Sequence, residues 1–158
     1  MTVTQKYVDK VLGEAERLCK IEGSTLTKLR RRVLETLIKA PGPVKAYDLI
    51  ESLKTNGRSL TPSSIYRTLE FFIQTGLVHR VNSLNAFVAC TDHKSHHNPV
   101  ILVCPSCQAT AEVNDEGLYT SIFNRLNAMD FFAKEGSVEV RGLCKKCAKE
   151  ALELEPHH

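Results

Sequence analysis

Residues 61–90 read TPSSIYRTLEFFIQTGLVHRVNSLNAFVAC, and the change of period inside this stretch decides the fold. Ile65, Leu69, Phe72 and Ile73 recur at helical spacing. Thr61 is suited to cap that helix and Pro62 to open it, because a proline lacks only an N–H that has no partner in the first turn. Gly76 ends the run. Beyond it the period drops from 3.6 to 2, giving two short strands at 77–81 and 86–90 around Asn82-Ser83-Leu84-Asn85, a hairpin.

Upstream, Val8, Val11, Leu12, Ala15 and Leu18 predict a first helix over 4–20, broken at Glu22-Gly23-Ser24. Thr27 caps a second helix carrying Leu29, Val33, Leu34, Leu37 and Ile38, which Pro41-Gly42-Pro43 stops. A third, short helix turns Ala46, Leu49, Ile50 and Leu53 inward and ends near Asn56-Gly57. Three helices, a reader helix and a hairpin within about 90 residues spell a winged helix-turn-helix. The polar residues then acquire a purpose. Ser64, Tyr66 and Arg67 occupy the first turns of the fourth helix, the part that meets base edges. Arg67 offers the forked donors that suit guanine, and Tyr66 suits a thymine methyl or a phosphate. Lys28, Arg30, Arg31 and Arg32 open the second helix and Arg80 sits on the hairpin, as phosphate contacts would. A basic run alone is equally a solvated helix face; beside a reader helix and a wing it points to DNA.

Charge divides the chain at the same place. The 158 residues carry a net charge of +3, but residues 1–90 hold 14 Lys/Arg against 8 Asp/Glu and residues 91–158 hold 7 against 10. All six histidines and five of the six cysteines lie from His79 onward. The apolar fraction of 42% and charged fraction of 25% are those of a globular protein and exclude collagen-like or disordered classes. No apolar run suffices to span a bilayer, and the N-terminus has no secretory core, so a cytoplasmic location is expected. There thiols stay reduced, and the cysteines point to metal or redox chemistry.

A polar linker over 91–99 leads to a second domain, 100–158. Strands are expected at 100–103, 109–113, Phe131-Phe132 and 137–141. A helix over 115–128 carries Leu118, Ile122, Phe123 and Leu126 on one side, and a short helix closes the chain. The fold class is thus α+β: a winged helix-turn-helix domain over 1–90 followed by a small α/β domain, which a metal would stabilise. Cys104-Pro105-Ser106-Cys107 and Cys144-Lys145-Lys146-Cys147 supply that metal site. Each CxxC sets two sulfurs on one turn, and two such turns complete a closed zinc tetrahedron with no open position. A redox reading needs one reactive pair at a helix start in a βαβ setting, and this chain has two pairs and no such setting. Neither a zinc deaminase pattern nor a Ser/His/Asp order nor a Gly-rich phosphate loop is present, which leaves a zinc hydrolase or a thiol oxidoreductase as the remote enzymatic alternatives.

A second set is weaker residue by residue. His79 and Cys90 lie on opposite strands of the wing, His96 and His97 in the linker, and Glu112 five residues after Cys107. Singly these are a surface histidine, a buried thiol and a solvated charge. Together they make an N/S/N/O set with one thiolate, which favours zinc over iron(II) or manganese. Zinc there would be near neutral, against about −2 for four thiolates, and so more exchangeable. Cys19 reads as plain core packing.

Leu26-Thr27, Ala46-Tyr47-Asp48-Leu49, Ser64-Ile65-Tyr66-Arg67-Thr68-Leu69, Gly76-Leu77-Val78-His79 and the paired CxxC motifs resemble the ferric uptake regulator superfamily over nearly the whole chain. Cys90 ending the wing, with no His-His-Asp-His run before Cys104, resembles its zinc uptake regulators rather than the iron or peroxide types, which remain the alternative. The resemblance implies a homodimer, paired through its back domains, that represses zinc uptake genes with zinc as corepressor. It implies a structural zinc at Cys104, Cys107, Cys144 and Cys147 and a regulatory zinc at His79, Cys90, His97 and Glu112, about two per protomer. His97, seven residues before Cys104, matches better than His96. Tyr66 and Arg67 match the family's base-reading pair. Glu51 and Lys54 fall where some members join two dimers on one operator. The family's Leu-Thr-Pro-Gln-Arg here reads Leu26-Thr27-Lys28-Leu29-Arg30, without the first-turn proline. A third metal site found in some relatives has only Asp92 and His93 as loose candidates, and His157-His158 is either a native tail or a purification remnant.

Overall fold

The computed structural model describes residues 3–54, 60–92, 99–133 and 137–154. The chain divides into two compact units, Met1–His96 and His97–His158.

The first unit runs α1 (Gln5–Ile21), α2 (Lys28–Lys39), α3 (Ala46–Leu53), α4 (Pro62–Gln74), β1 (Val78–Val81) and β2 (Ala86–Ala89). Three of its helices start at threonines whose hydroxyls accept a backbone N–H from three residues on: Thr4 from Tyr7 at 3.4 Å, Thr27 from Arg30 at 3.2 Å and Thr61 from Ser64 at 3.3 Å. Each such bond satisfies one of the donors a helix start leaves over. The expected caps at Thr27 and Thr61, and Pro62 at the first position of α4, stand as read. Lys28 therefore opens α2 adequately without the family's proline, because Thr27 supplies the start. The third helix stops at Leu53, ahead of Asn56-Gly57, which lie outside the described residues.

Two helices end on glycine in the left-handed region, Gly23 at φ +63° and Gly76 at φ +73°. In both, the next residue bonds back five positions, Ser24 N–H to Cys19 O at 2.7 Å and Leu77 N–H to Phe72 O at 2.9 Å. This termination favours glycine because a Cβ is strained at positive φ. At Gly76 it also steers the chain from α4 into the wing, burying Leu77.

The wing is an antiparallel pair in the register Val78↔Ala89, His79↔Val88, Arg80↔Phe87 and Val81↔Ala86. It turns through a 3-10 segment at Asn82–Leu84 and a left-handed Asn85 at φ 48°, a conformation asparagine tolerates. Val44 adds a bridge to Phe87, with N–H···O bonds of 2.9 and 2.8 Å, and so fastens the α2–α3 connection to the wing. Val8, Val11, Leu34, Leu49, Ile65, Leu69, Phe72 and Val78 belong to one buried cluster. At about 1.5–3 kcal/mol per large apolar side chain, it holds α4 and the wing to the other helices. Cys19 is buried at the rim of this core, and burial pushes its thiol upward against the opposing pull of the Arg30 cation.

The second unit runs β3 (Val100–Val103), β4 (Thr110–Val113), α5 (Glu116–Asn127), β5 (Val138–Arg141) and α6 (Lys145–Leu154). Its sheet has the order β4-β3-β5, antiparallel on one side of β3 and parallel on the other, with α5 in the crossover. Two expectations change. Phe131-Phe132 form no strand: Asp130 at φ 58° and the bond from Phe131 N–H to Leu126 O at 3.0 Å end α5 in the same five-residue return, leaving both rings exposed, 61% and 74%. The apolar stripe of α5 is likewise not buried. Ile122, Phe123 and Leu126 are half-covered and Leu118 is exposed, while Tyr119 and Phe123 stack on each other at 4.1 Å. Among the described residues no helix is long and apolar enough to cross a membrane.

Candidate metal centre and nucleic-acid interface

Parallel pairing of β3 with β5 brings the two CxxC motifs together. Val103 pairs with Arg141, so the chain leaves both strands at the same end of the sheet, and Gly142 N–H reaches Val103 O at 3.0 Å. Cys104 follows β3 directly and Cys144 lies three residues beyond the end of β5; Cys147 lies in the first turn of α6. Around Cys104–Cys107 the turn closes through Gln108, left-handed at φ 61°, whose N–H donates to Cys104 O at 2.8 Å, while Cys104 N–H donates to Ala109 O at 2.9 Å.

The four sulfurs all lie within 4.8 Å of one another. The Cys107 and Cys144 sulfurs are 3.8 Å apart, the edge of a tetrahedron with about 2.3 Å zinc–sulfur bonds being about 3.8 Å. Cys144 N–H points at the Cys104 sulfur at 3.4 Å. The N–H groups of Cys144 and then Cys107 hold the Cys104 thiol down to about 6, and the Cys147 N–H lowers Cys144. At Cys147 a bond from the Ser106 hydroxyl favours the thiolate, but the Cys144 sulfur, burial and the other two sulfurs outweigh it and push the thiol up to about 12. Thiolates this crowded repel one another, and a divalent cation removes the conflict. The donor set fits zinc and is complete within the unit.

In the first unit, a ring nitrogen of His79 and the Cys90 sulfur lie within 4.8 Å. His79 is on β1, and Cys90 continues the ladder beyond β2, its N–H donating to Leu77 O at 2.9 Å. Both are buried, and the Cys90 thiol donates to Asp92 O at 3.1 Å. Glu112 belongs to the second unit, on β4 opposite Ile101, half-buried. His96, His97 and His93 lie outside the described residues.

On α4 the buried face is Ile65, Thr68, Leu69 and Phe72, and the opposite face presents Ser63, Tyr66, Arg67, Glu70 and Gln74. Tyr66 is 54% exposed, so its ring stands open on that face. Ser64 is half-buried, and its hydroxyl donates to Thr61 O at 2.7 Å, turning it back into the helix start. Lys28 and Arg80 are exposed, and Arg80 donates to Asn85 Oδ1 across the wing turn at 3.3 Å. Glu51 and Lys54 are bonded to each other at 2.5 Å.

Arg30, Arg31 and Arg32 are only half-exposed and have protein partners: Ser24, Thr25 and Phe71 for Arg30, Glu16 for Arg31, and Leu53 O for Arg32. Composition gives no sign of this. The available signal is angular: consecutive helical residues point about 100° apart, so three in a row cannot share one face. Ser106, beside the Cys147 thiol, is a further residue at the metal centre that motif spacing alone does not mark.

Residues 22–141 match the ferric uptake regulator family. The zinc uptake regulation protein of Escherichia coli (strain K12) is 30% identical over 149 residues, covering 94% of this chain and 85% of that protein. Among solved structures, a zinc uptake regulator complexed with zinc and DNA is similar with a TM-score of 0.83 at 28% identity, covering 95% of this chain and 99% of that one. Holo XcZur is similar with a TM-score of 0.78 at 34% identity, covering 90% and 99%.

Proposed function

The chain belongs to the ferric uptake regulator family, and from that premise we propose that it is a zinc-responsive transcriptional repressor, binding operator DNA as a homodimer and controlling zinc uptake genes. The observation that carries the reading is the Cys90 thiol beside His79 at the base of the wing. A thiolate in the sensing set selects zinc over iron(II) or manganese, which prefer nitrogen and oxygen donors. The relatives named for zinc uptake support the same choice over an iron-type or peroxide-type regulator.

In this reading Cys104, Cys107, Cys144 and Cys147 hold a structural zinc, and His79, Cys90, His97 and Glu112 hold a regulatory one, two per protomer. Residues 1–90 form the reading head, 91–99 the hinge and 100–158 the dimerisation domain; the two compact units support this division. Tyr66 and Arg67 read bases from the exposed face of α4, and Lys28 and Arg80 meet phosphates. The exposed Met129, Phe131 and Phe132 suit burial against a second copy. Glu51 and Lys54, paired within one chain, would exchange partners where two dimers share an operator.

Zinc in the regulatory set would link wing, hinge and second domain, restricting the separations the two reading heads can adopt. A dimeric reader needs half-sites about one helical turn, or a multiple, apart, so restriction raises the fraction competent to bind. By linkage, operator DNA must tighten regulatory zinc by the same factor.

The test is metal content with DNA binding. Two zincs per protomer are expected, one removed by a mild chelator together with specific DNA binding. Cys90→Ser should lose the zinc dependence while keeping the tight zinc. A variant that still binds DNA only with zinc would remove Cys90 from the site, and a response to iron(II) or manganese in place of zinc would favour the other branches.

A further inference from the structure

Arg30 stands in the basic run that opens α2, where a phosphate contact is the natural expectation, yet its half-exposed side chain is engaged with partners in its own chain. Its guanidinium lies 3.6 Å from the centroid of the Phe71 ring. Its Nη1 donates to Ser24 Oγ at 2.5 Å and to Thr25 O at 2.8 Å. Ser24 and Thr25 belong to the connection between α1 and α2, and Phe71 to α4, one turn beyond Tyr66 and Arg67. Phe71 also meets Phe72 edge to face at 5.7 Å, and Phe72 is fully buried. One planar cation thus ties the α1–α2 connection, the first turn of α2 and the reading helix together. Its neighbours complete the pattern: Arg31 pairs with Glu16 on α1, and Arg32 Nη2 donates to Leu53 O at the end of α3, at 3.0 Å.

The geometry assigns Arg30 the role of a positioning residue for DNA reading: it sets α4 against α2 and neutralises no phosphate itself. This rests on the DNA-binding reading above and goes beyond it. The chemistry is specific to arginine. A guanidinium stacks its face on a ring while its edge donates to a hydroxyl and a carbonyl, and an ammonium cannot do both in one plane. A phosphate contact has the opposite signature: lysine serves nearly as well, and removing the cation lowers the salt dependence, because each neutralised phosphate contributes about 0.9 to the slope of log K against log salt.

The experiment uses the full-length, zinc-loaded protein, a duplex it selects from a random library, and a random-sequence duplex. Arg30→Ala, Arg30→Lys and Phe71→Leu are compared with wild type for affinity, salt slope and urea midpoint. Phe71→Leu keeps an apolar side chain in α4 but removes the stacking face. All three variants should lose about tenfold on the selected duplex, keep random-duplex binding, and keep the wild-type salt slope. The losses of Arg30→Lys and Phe71→Leu should not add when combined, since both break one contact. A slope reduced by about 0.9 in Arg30→Ala and restored in Arg30→Lys would overturn the proposal in favour of a phosphate contact. A lowered urea midpoint with the selected-to-random ratio intact would overturn it in favour of a plain stabilising contact. A zinc-loaded wild type that enriches no duplex from the library would instead overturn the DNA-binding reading, and this inference with it.

Discussion

Cys107→Ser separates a metal ligand from an ordinary surface residue. Cys107 is exposed, so losing its sulfur opens no cavity, and an exposed exchange of this size ordinarily changes stability by no more than about 0.5 kcal/mol. The second unit makes a larger effect the expected one. Among its described residues the buried side chains are Pro99, Val100, Ile101, Val103, Cys104 and Cys147, only three of them large aliphatics. Three aliphatic side chains contribute roughly 5–9 kcal/mol, whereas a structural zinc site of four ligands is worth about 10–16 kcal/mol at neutral pH. A zinc held by the four cysteines would therefore rival the apolar core, and breaking one ligand bond should cost several kcal/mol. In a domain this small each 1 kcal/mol moves the melting temperature by about 4–8 °C, so a fall beyond about 10 °C is expected. Calorimetry and amide NMR on the zinc-loaded protein would read it. Signals from β3, β4 and β5 should collapse while those of α1 to β2 persist, because the first unit has its own core. A shift below about 4 °C with β3 to β5 intact would refute the reasoning.

Arg67→Ala, on the exposed face of α4, should leave stability nearly unchanged and cost roughly 1–3 kcal/mol on a selected duplex; equal losses on random DNA in a titration would make it a phosphate contact. Thr61→Ala removes the hydroxyl that accepts Ser64 N–H, and urea unfolding should show a loss of about 1 kcal/mol. Phe132→Glu changes a ring 74% exposed in one chain; sedimentation should show dimers dissociating, and a wild-type dimer would place the pairing surface elsewhere.

Much of this protein is written locally. Thr27, Thr61 and Pro62 start helices through bonds that span three residues, and Gly76 ends one through positive φ. The hairpin after it follows from period-2 alternation. Each CxxC is a single turn, so its chemistry is visible in four letters. The two-domain reading also follows from charge, because the basic residues concentrate in the front and the ligands behind.

What the tertiary structure alone decided is where side chains are spent. Parallel pairing of β3 with β5 joins the two CxxC turns across 36 intervening residues, and nothing within either motif encodes that register. Phe131 and Phe132 read as a strand in the sequence but are left exposed beyond the left-handed Asp130, since apolar character does not say whether a segment finds a neighbouring strand to pair with. Arg30, Arg31 and Arg32 look like one cationic surface, whereas helical geometry sends them to different neighbours. Composition and periodicity report what a residue can do; its partners depend on segments distant in the chain, and only packing brings those within bonding range.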